Sequence, residues 1–318
     1  MMEAHDLNNL LDAYSQSRYD FDPKKLTKTE INSIKKLARE KRADYGIAPI
    51  GTNIFDYINL QEKNIYFEKQ SFHNPDLDGM IIVLPKSRDI AFIILNSSQP
   101  LLNQIFATAH EYYHYLVDLE GLKKTPHVCS LSQLNEKSEQ KASRFAAEFL
   151  LPDEALNVMV DDWLSRINKN RISDTNITDL TLLSHRLTIK YGLPLKAVLY
   201  RLFEEEHITE DKFQLLISNY DFIKGAFKES QRVYKREVNQ LIANENPYID
   251  EIMYEKMPKA FDQGYVSLDK LKWDADQLSL DKERLDVDTD ITEDSDDEDD
   301  EYLMDLKKYL NSQLEDDS

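Results

Sequence analysis

The sequence predicts an α+β fold, mainly helical with a small antiparallel sheet, and three observations lead there. Apolar residues recur at helical spacing through most of the chain. Two short runs rich in β-branched residues lie close together on either side of residue 87, and helical patterns precede and follow them. At 318 residues, with 41% hydrophobic and 10% aromatic side chains, there is material for one catalytic-size core plus appendages.

Residues 1–29 read as a polar N-terminal arm with scattered aromatics at Tyr14, Tyr19 and Phe21. With Thr29 as cap, Ile31, Ile34, Leu37 and Ala38 form one face of a helix running to Tyr45 and Gly46, where glycine suits the C-terminal position. Its other face carries Lys35, Lys36, Arg39, Lys41 and Arg42, either solvated or a docking surface for an acidic partner or for the chain's own tail. Residues 54–60 suit a short helix and 65–67 a short strand. Residues 80–84 and 90–95 read as an antiparallel hairpin around the 85–89 turn, which holds Pro85. A long helix then covers 101–119 and stops at Gly121, and another covers 135–150 and is ended by Pro152. Helical patterning continues to about residue 226. Residues 208–274 read as a helical accessory region, with helix-like stretches at 233–242 and 248–257.

The formal charge of −20 is mostly a tail, because residues 275–318 carry 18 acidic and 4 basic side chains, leaving −6 for the rest. The acidic low-complexity run at 286–301 lacks the apolar surface to order itself, and 302–314 suits a short amphipathic helix. A chain this acidic gains little from phosphate counterion release, so direct DNA binding is not expected. The 183–208 stretch, two helical patterns around Gly192, has the outline of a helix-turn-helix, but its second helix runs into Glu204, Glu205 and Glu206. No apolar run reaches the roughly 18 residues of a membrane span, and no apolar stretch follows the acidic N-terminus as an export signal requires. Cys129 stands alone, which excludes a disulfide framework and a CxxC metal site. These features predict a cytoplasmic protein with no membrane association.

The chemistry sits in the long helix, as His110-Glu111-Tyr112-Tyr113-His114. Histidines four residues apart stand on one helix face, one turn apart, so both imidazoles reach a single metal ion. Glu111 lies near that face without ligating, placed to take a proton from an activated water and pass it to a leaving amine. A catalytic site needs a third protein ligand, and the next helix offers Glu139, 25 residues beyond His114 and far enough for the chain to turn back. The apolar flanks Leu101, Leu102, Ile105, Phe106, Ala109, Leu116 and Val117 bury this helix, and burying His110, Glu111 and His114 without partners would cost several kcal/mol. Ser143, one turn after Glu139, is suited to orienting a ligand. Two histidines and a carboxylate suit zinc best and tolerate manganese or iron. Tyr112, Tyr113, His185 and Tyr200 are the candidates for a second oxyanion donor.

Phe106-Ala-Thr-Ala-His110-Glu111-Tyr-Tyr-His114, followed by Glu139-x-x-Ala142-x-x-Phe145-Ala146-Ala147-x-x-Leu150-Leu151-Pro152, resembles the ImmA/IrrE family of zinc-dependent endopeptidases. The Asp78-Gly79 strand entry, the Ile94-Leu95-Asn96 strand end and the 183–208 helix pair fit the same pattern, so the resemblance covers residues 30–207. It implies a zincin-like metallopeptidase core with His110, His114 and Glu139 as zinc ligands and Glu111 as general base and acid. It also implies a protein substrate, most directly a helix-turn-helix transcriptional repressor whose cleavage derepresses a mobile-element, phage or stress programme. The family usually has glycine where Tyr113 stands and asparagine where Ser143 stands. A ring at 113 would narrow the cleft, change specificity or supply a phenol to the oxyanion. Two other readings use the same residues: a non-proteolytic antirepressor that binds through this scaffold, and a metal-dependent hydrolase acting on another amide.

Overall fold

A computed structural model describes residues 26–72, 77–83, 90–122, 136–230, 239–241, 243, 246–277, 280–281 and 284–285. Residues 1–25 of the N-terminal arm, the 85–89 turn, Cys129, most of the 233–242 stretch and the acidic tail beyond residue 285 lie outside them.

Helix α1 (Lys28–Lys41) starts two residues earlier than a Thr29 cap implies. Thr27 and Glu30 form a capping box: the threonine hydroxyl accepts from the Glu30 amide at 3.3 Å and the Glu30 carboxylate accepts from the Thr27 amide at 3.0 Å. Ile34 and Ala38 are its buried face. The basic face is partly covered, with Lys36 and Arg39 still exposed. Lys35 bonds Glu205 at 2.6 Å and Asp153 at 3.2 Å, Arg39 pairs with Glu154 at 2.7 Å, and Lys41 with Glu62 at 2.6 Å. Arg42 is 2% exposed and donates to the carbonyls of Gly46, Ala48 and Phe149.

Helix α2 (Ile54–Gln61) leads into the sheet of β1 (Ile65–Gln70), β2 (Gly79–Val83) and β3 (Ala91–Asn96), in the order β1-β3-β2. The sheet is mixed. β2 and β3 pair antiparallel, Gly79 opposite Leu95 and Val83 opposite Ala91, as the hairpin reading predicts. β1 runs parallel to β3, Ile65 opposite Ala91 and Gln70 opposite Asn96, so the expected all-antiparallel sheet is corrected. Alternation of apolar residues reports a strand's faces and not its direction. Asn96, at the end of β3, bonds the two described ends of the β1–β2 connection, Phe72 and Leu77. That buried amide donates to the Leu77 carbonyl at 2.8 Å and accepts from the Phe72 amide at 3.3 Å and the Ser98 amide at 2.9 Å. One sheet face (Phe67, Ile81, Ile93, Leu95) joins the main core, and the other (Met80, Ile82, Ile94) packs under Phe72 and Leu77.

Helix α3 (Leu101–Leu122) lies against β2 and β3 and is buried at every residue from Leu101 to His114. A helix apolar nearly all round belongs inside a core. β2 approaches closely: a Cβ on Gly79 would lie 3.2 Å from Leu95 and 3.4 Å from Ala107. Gly121 sits inside the last turn and does not end the helix. The other end is held by distant chain. The Leu101 amide donates to the Ala243 carbonyl at 2.6 Å, and buried Asn246 donates to Gln104 at 2.9 Å.

Helix α4 (Glu136–Leu150) packs along α3 and α1. Beyond it come α5 (Asp153–Arg166), α6 (Ile177–Tyr191) and α7 (Leu195–Glu204), with Gly192 at φ +65° ending α6 where an added Cβ would stand 3.2 Å from the Gly51 Cα. α7 buries Leu195, Ala197, Val198, Leu199, Arg201 and Leu202, which spends its face on the core. Helices α8 (Glu210–Ser218) and α9 (Tyr220–Ser230) extend that core through Phe213, Leu216 and Ile223. α10 (Pro247–Asp262) carries Ile249 and Ile252 into it and packs on α2 and β1. α10 and α11 (Leu268–Gln277) then share a smaller cluster around Phe261, Leu271 and Ala275. Among the described residues, no helix is long and apolar enough to cross a membrane.

The end of α4 is held by buried charge. Arg201, with no exposed side-chain surface, donates to the Leu151 carbonyl and pairs with Glu148 at 3.0 Å and Glu205 at 2.7 Å. Arg144, 1% exposed, reaches Glu148 at 3.1 Å, Glu204 at 3.1 Å and Glu205 at 2.8 Å. Burial pushes the Glu204 carboxyl up; burial raises Glu205 as well, but Arg201 and Lys35 outweigh it and hold that group at about 2. Removing one guanidinium strands buried carboxylates, so Arg201→Met should lower unfolding free energy by about 3–5 kcal/mol. Urea denaturation at neutral pH measures this, and an unchanged midpoint would contradict the network's role.

Candidate metal centre

Three side chains from two helices converge. His110 and His114 project from one face of α3 and Glu139 from the facing side of α4, and all three donor atoms lie within 4.8 Å of one another. His110 Nε2 and His114 Nε2 are 3.3 Å apart. The Glu139 carboxylate closes the triangle, one oxygen 3.0 Å from His110 Nε2 and the other 3.1 Å from His114 Nε2. Ligands held 2.0–2.1 Å from a tetrahedral ion stand about 3.3 Å from each other, so the donor spacing matches a zinc-sized cation. The outer ring nitrogens are occupied: Ser143 Oγ is 3.3 Å from His110 Nδ1, and Asp118 Oδ2 is 2.9 Å from His114 Nδ1.

Electrostatics favour positive charge here. Burial alone would lower the His114 pKa, yet Asp118, Glu139 and Glu111 together push it up to about 10. Carboxylates that hold a proton so firmly on a buried imidazole are equally suited to holding a metal ion. Glu111 is 2% exposed, and its Oε2 has no hydrogen-bond partner among the described residues. An ionisable oxygen left unbonded in a core is costly unless something outside the protein's own atoms uses it.

The remaining sequence candidates fall in different places. Tyr112 donates its hydroxyl to Glu62 at 2.9 Å and sets its ring edge-on to Phe145 and Phe149, bracing α3. Tyr113 is 5% exposed and packs between His114 and Phe145, where burial, reinforced by Asp118 and Glu30, pushes its phenol up to about 12. His185 lies on α6 and donates from Nε2 to the Ile223 carbonyl at 2.9 Å, with its ring against Phe227. Tyr200 alone of these four lines a cavity of about 20 Å³ beside Ser143, with Phe106, Ala147 and Ala197 as further walls. Sequence reading passed over Asp118 and Ser138, whose hydroxyl donates to Asp118 Oδ2 at 3.1 Å. The signal was present, since a carboxylate four residues after His114 on a helix faces the same side.

Residues 60–203 match the family model described as the IrrE N-terminal-like domain, a peptidase family. This stretch of the chain is similar to an IrrE N-terminal-like domain. No curated protein and no solved structure matches the chain. The IrrE-like segment runs from the end of α2 into α7, so it contains the sheet, the whole donor set and Arg144, Glu148 and Arg201 of the ion network at the end of α4.

Two outcomes are expected. Glu139→Ala should abolish stoichiometric metal uptake, measured by elemental analysis of untagged protein beside the wild type, and full retention of one metal per chain would exclude the three-donor site. The second concerns His185, whose pKa burial lowers to about 4, the Ile223 carbonyl offsetting only part. With an unfolded value near 6.5, the unfolded chain binds the extra proton between about pH 4 and 6.5. The stabilisation from the neutral ring is therefore complete above about 6.5 and lost as pH falls to 4, a change of roughly 3 kcal/mol. Urea titrations over this range, wild type against His185→Gln, should show the slope reduced in the variant.

Proposed function

We propose that the chain is a zinc-dependent endopeptidase of the cytoplasm, for which manganese also fits the donor set. Its substrate is a protein, most directly a helix-turn-helix transcriptional repressor whose cleavage releases a mobile-element, phage or stress programme. The observation that carries this reading is the unbonded Glu111 oxygen beside two converging imidazoles and Glu139, inside a domain of a peptidase family.

His110, His114 and Glu139 would hold the ion, which when bound supplies Lewis acidity to a scissile carbonyl and to an attacking water. Glu111 takes the proton from that water and delivers it to the departing amine, a role that suits a buried carboxylate with a free oxygen. α7 gives its face to the core, which favours a protein substrate over direct DNA binding.

Glu111→Gln tests the reading against a pure binding module. The variant should keep its metal and its affinity for the substrate protein while cleavage falls by at least about a thousandfold, an amount in keeping with loss of general base catalysis. Cleavage at the wild-type rate, followed by gel electrophoresis and intact mass, would sink the peptidase mechanism. Unchanged biological output without any cleavage would favour the antirepressor reading.

A further inference from the structure

Asp118 belongs to no part of the motif, yet it touches both helices that carry the donors. It follows His114 by one helical turn, and its Oδ2 lies 2.9 Å from His114 Nδ1. The same oxygen accepts the Ser138 hydroxyl at 3.1 Å, and Ser138 directly precedes Glu139 on α4. His114 has no exposed side-chain surface, so its ring has no solvent partner to substitute.

We propose that Asp118 is a positioning residue for the metal centre, acting on His114 directly and on Glu139 through Ser138. An ionised carboxylate can only accept, so the proton of the interacting imidazole nitrogen must sit on Nδ1. That leaves the Nε2 lone pair of the metal-ready ring directed at His110 Nε2 and Glu139, 3.3 and 3.1 Å away. The same hydrogen bond fixes the ring's rotation about its bond to the backbone, and a hydrogen-bonded carboxylate makes the ligating nitrogen a stronger donor. Ser138 adds a second constraint, because one oxygen shared between α3 and α4 sets the separation of the helices at the level of the site. On the other histidine the corresponding position is filled by a neutral hydroxyl, Ser143, at the longer distance of 3.3 Å. The two ligands are thus held unequally, His114 by charge and His110 by a weaker dipole.

This inference rests on the metal reading, and the experiment separates the two. Zinc affinity is measured by chelator competition for the wild type, Asp118→Ala, Asp118→Asn and Ser138→Ala, with the His114 Nδ1–H resonance followed by ¹H–¹⁵N NMR in the zinc-loaded proteins. Asp118→Ala should weaken zinc binding about 10- to 100-fold and lose the protected Nδ1–H resonance. Asp118→Asn keeps an acceptor oxygen, so it should retain the resonance and an intermediate affinity, a rescue that a merely structural role would not produce. Ser138→Ala should keep the resonance with a smaller loss of affinity. The metal-free forms should share one circular dichroism spectrum, which distinguishes a misplaced ligand from a misfolded chain. Wild-type affinity and an intact resonance in Asp118→Ala would overturn the positioning role alone. A wild-type chain that takes up no zinc would overturn the metal reading beneath it, and that result would come before any variant is compared.

Discussion

Placing two imidazoles and a carboxylate within two turns of a buried helix is the constraint around which this molecule is arranged. α3 is sealed by the sheet on one side and α4 on another, so His110, Glu111 and His114 have no water to turn to. In a core, an unmatched polar group costs roughly 1–3 kcal/mol and an unmatched charge more. Ser143 and Asp118 meet the outer nitrogens of the two rings, Glu139 faces both Nε2 atoms, and one oxygen of Glu111 has no partner among the described residues. Glu111 Oε2 and Glu139 Oε1 are two of the buried side-chain oxygens without a hydrogen-bond partner among the described residues, and both belong to this site.

Such a site tolerates little movement between α3 and α4, and the scaffold answers with buried charge at the far end of α4. Arg144 and Arg201 bind Glu148, Glu204 and Glu205, while Arg42 donates to the Phe149 carbonyl in the last turn of the helix. Buried ion networks contribute little net stability compared with apolar packing of the same volume. Their value here is directional: each guanidinium accepts only one arrangement of partners, so α1, α4 and α7 are registered against one another by geometry as well as by contact. Glu62 does the same beneath α3, taking both the Tyr112 hydroxyl and the Lys41 ammonium.

Much of the site was legible because its signals are local. The spacing of His110 and His114 and the apolar flanks of α3 report directly on one helix face, and Glu139 follows in the next helix. What was illegible depends on distant partners. Lys35 and Arg42 read as surface charges because composition says nothing of the carbonyls and carboxylates that receive them. The parallel pairing of β1 with β3 is a matter of strand direction, which no alternation pattern encodes. Two errors were local: the Thr27–Glu30 box was present in the sequence, and a lone glycine such as Gly121 is tolerated in a final turn where a helix is otherwise well held.

The insertion of β3 between β1 and β2 also bears on how the chain reaches this state. As synthesis proceeds, β1 and β2 emerge first, and in the finished sheet they do not touch each other. Both remain without their native neighbour until residues 91–96 arrive, and α3, which seals β2 and β3, follows directly behind. The strand that completes the sheet and the helix that bears the histidines therefore become available together. A nascent chain halted before that point exposes two apolar strands with no native pairing, the condition under which chains associate with one another or are held by chaperones.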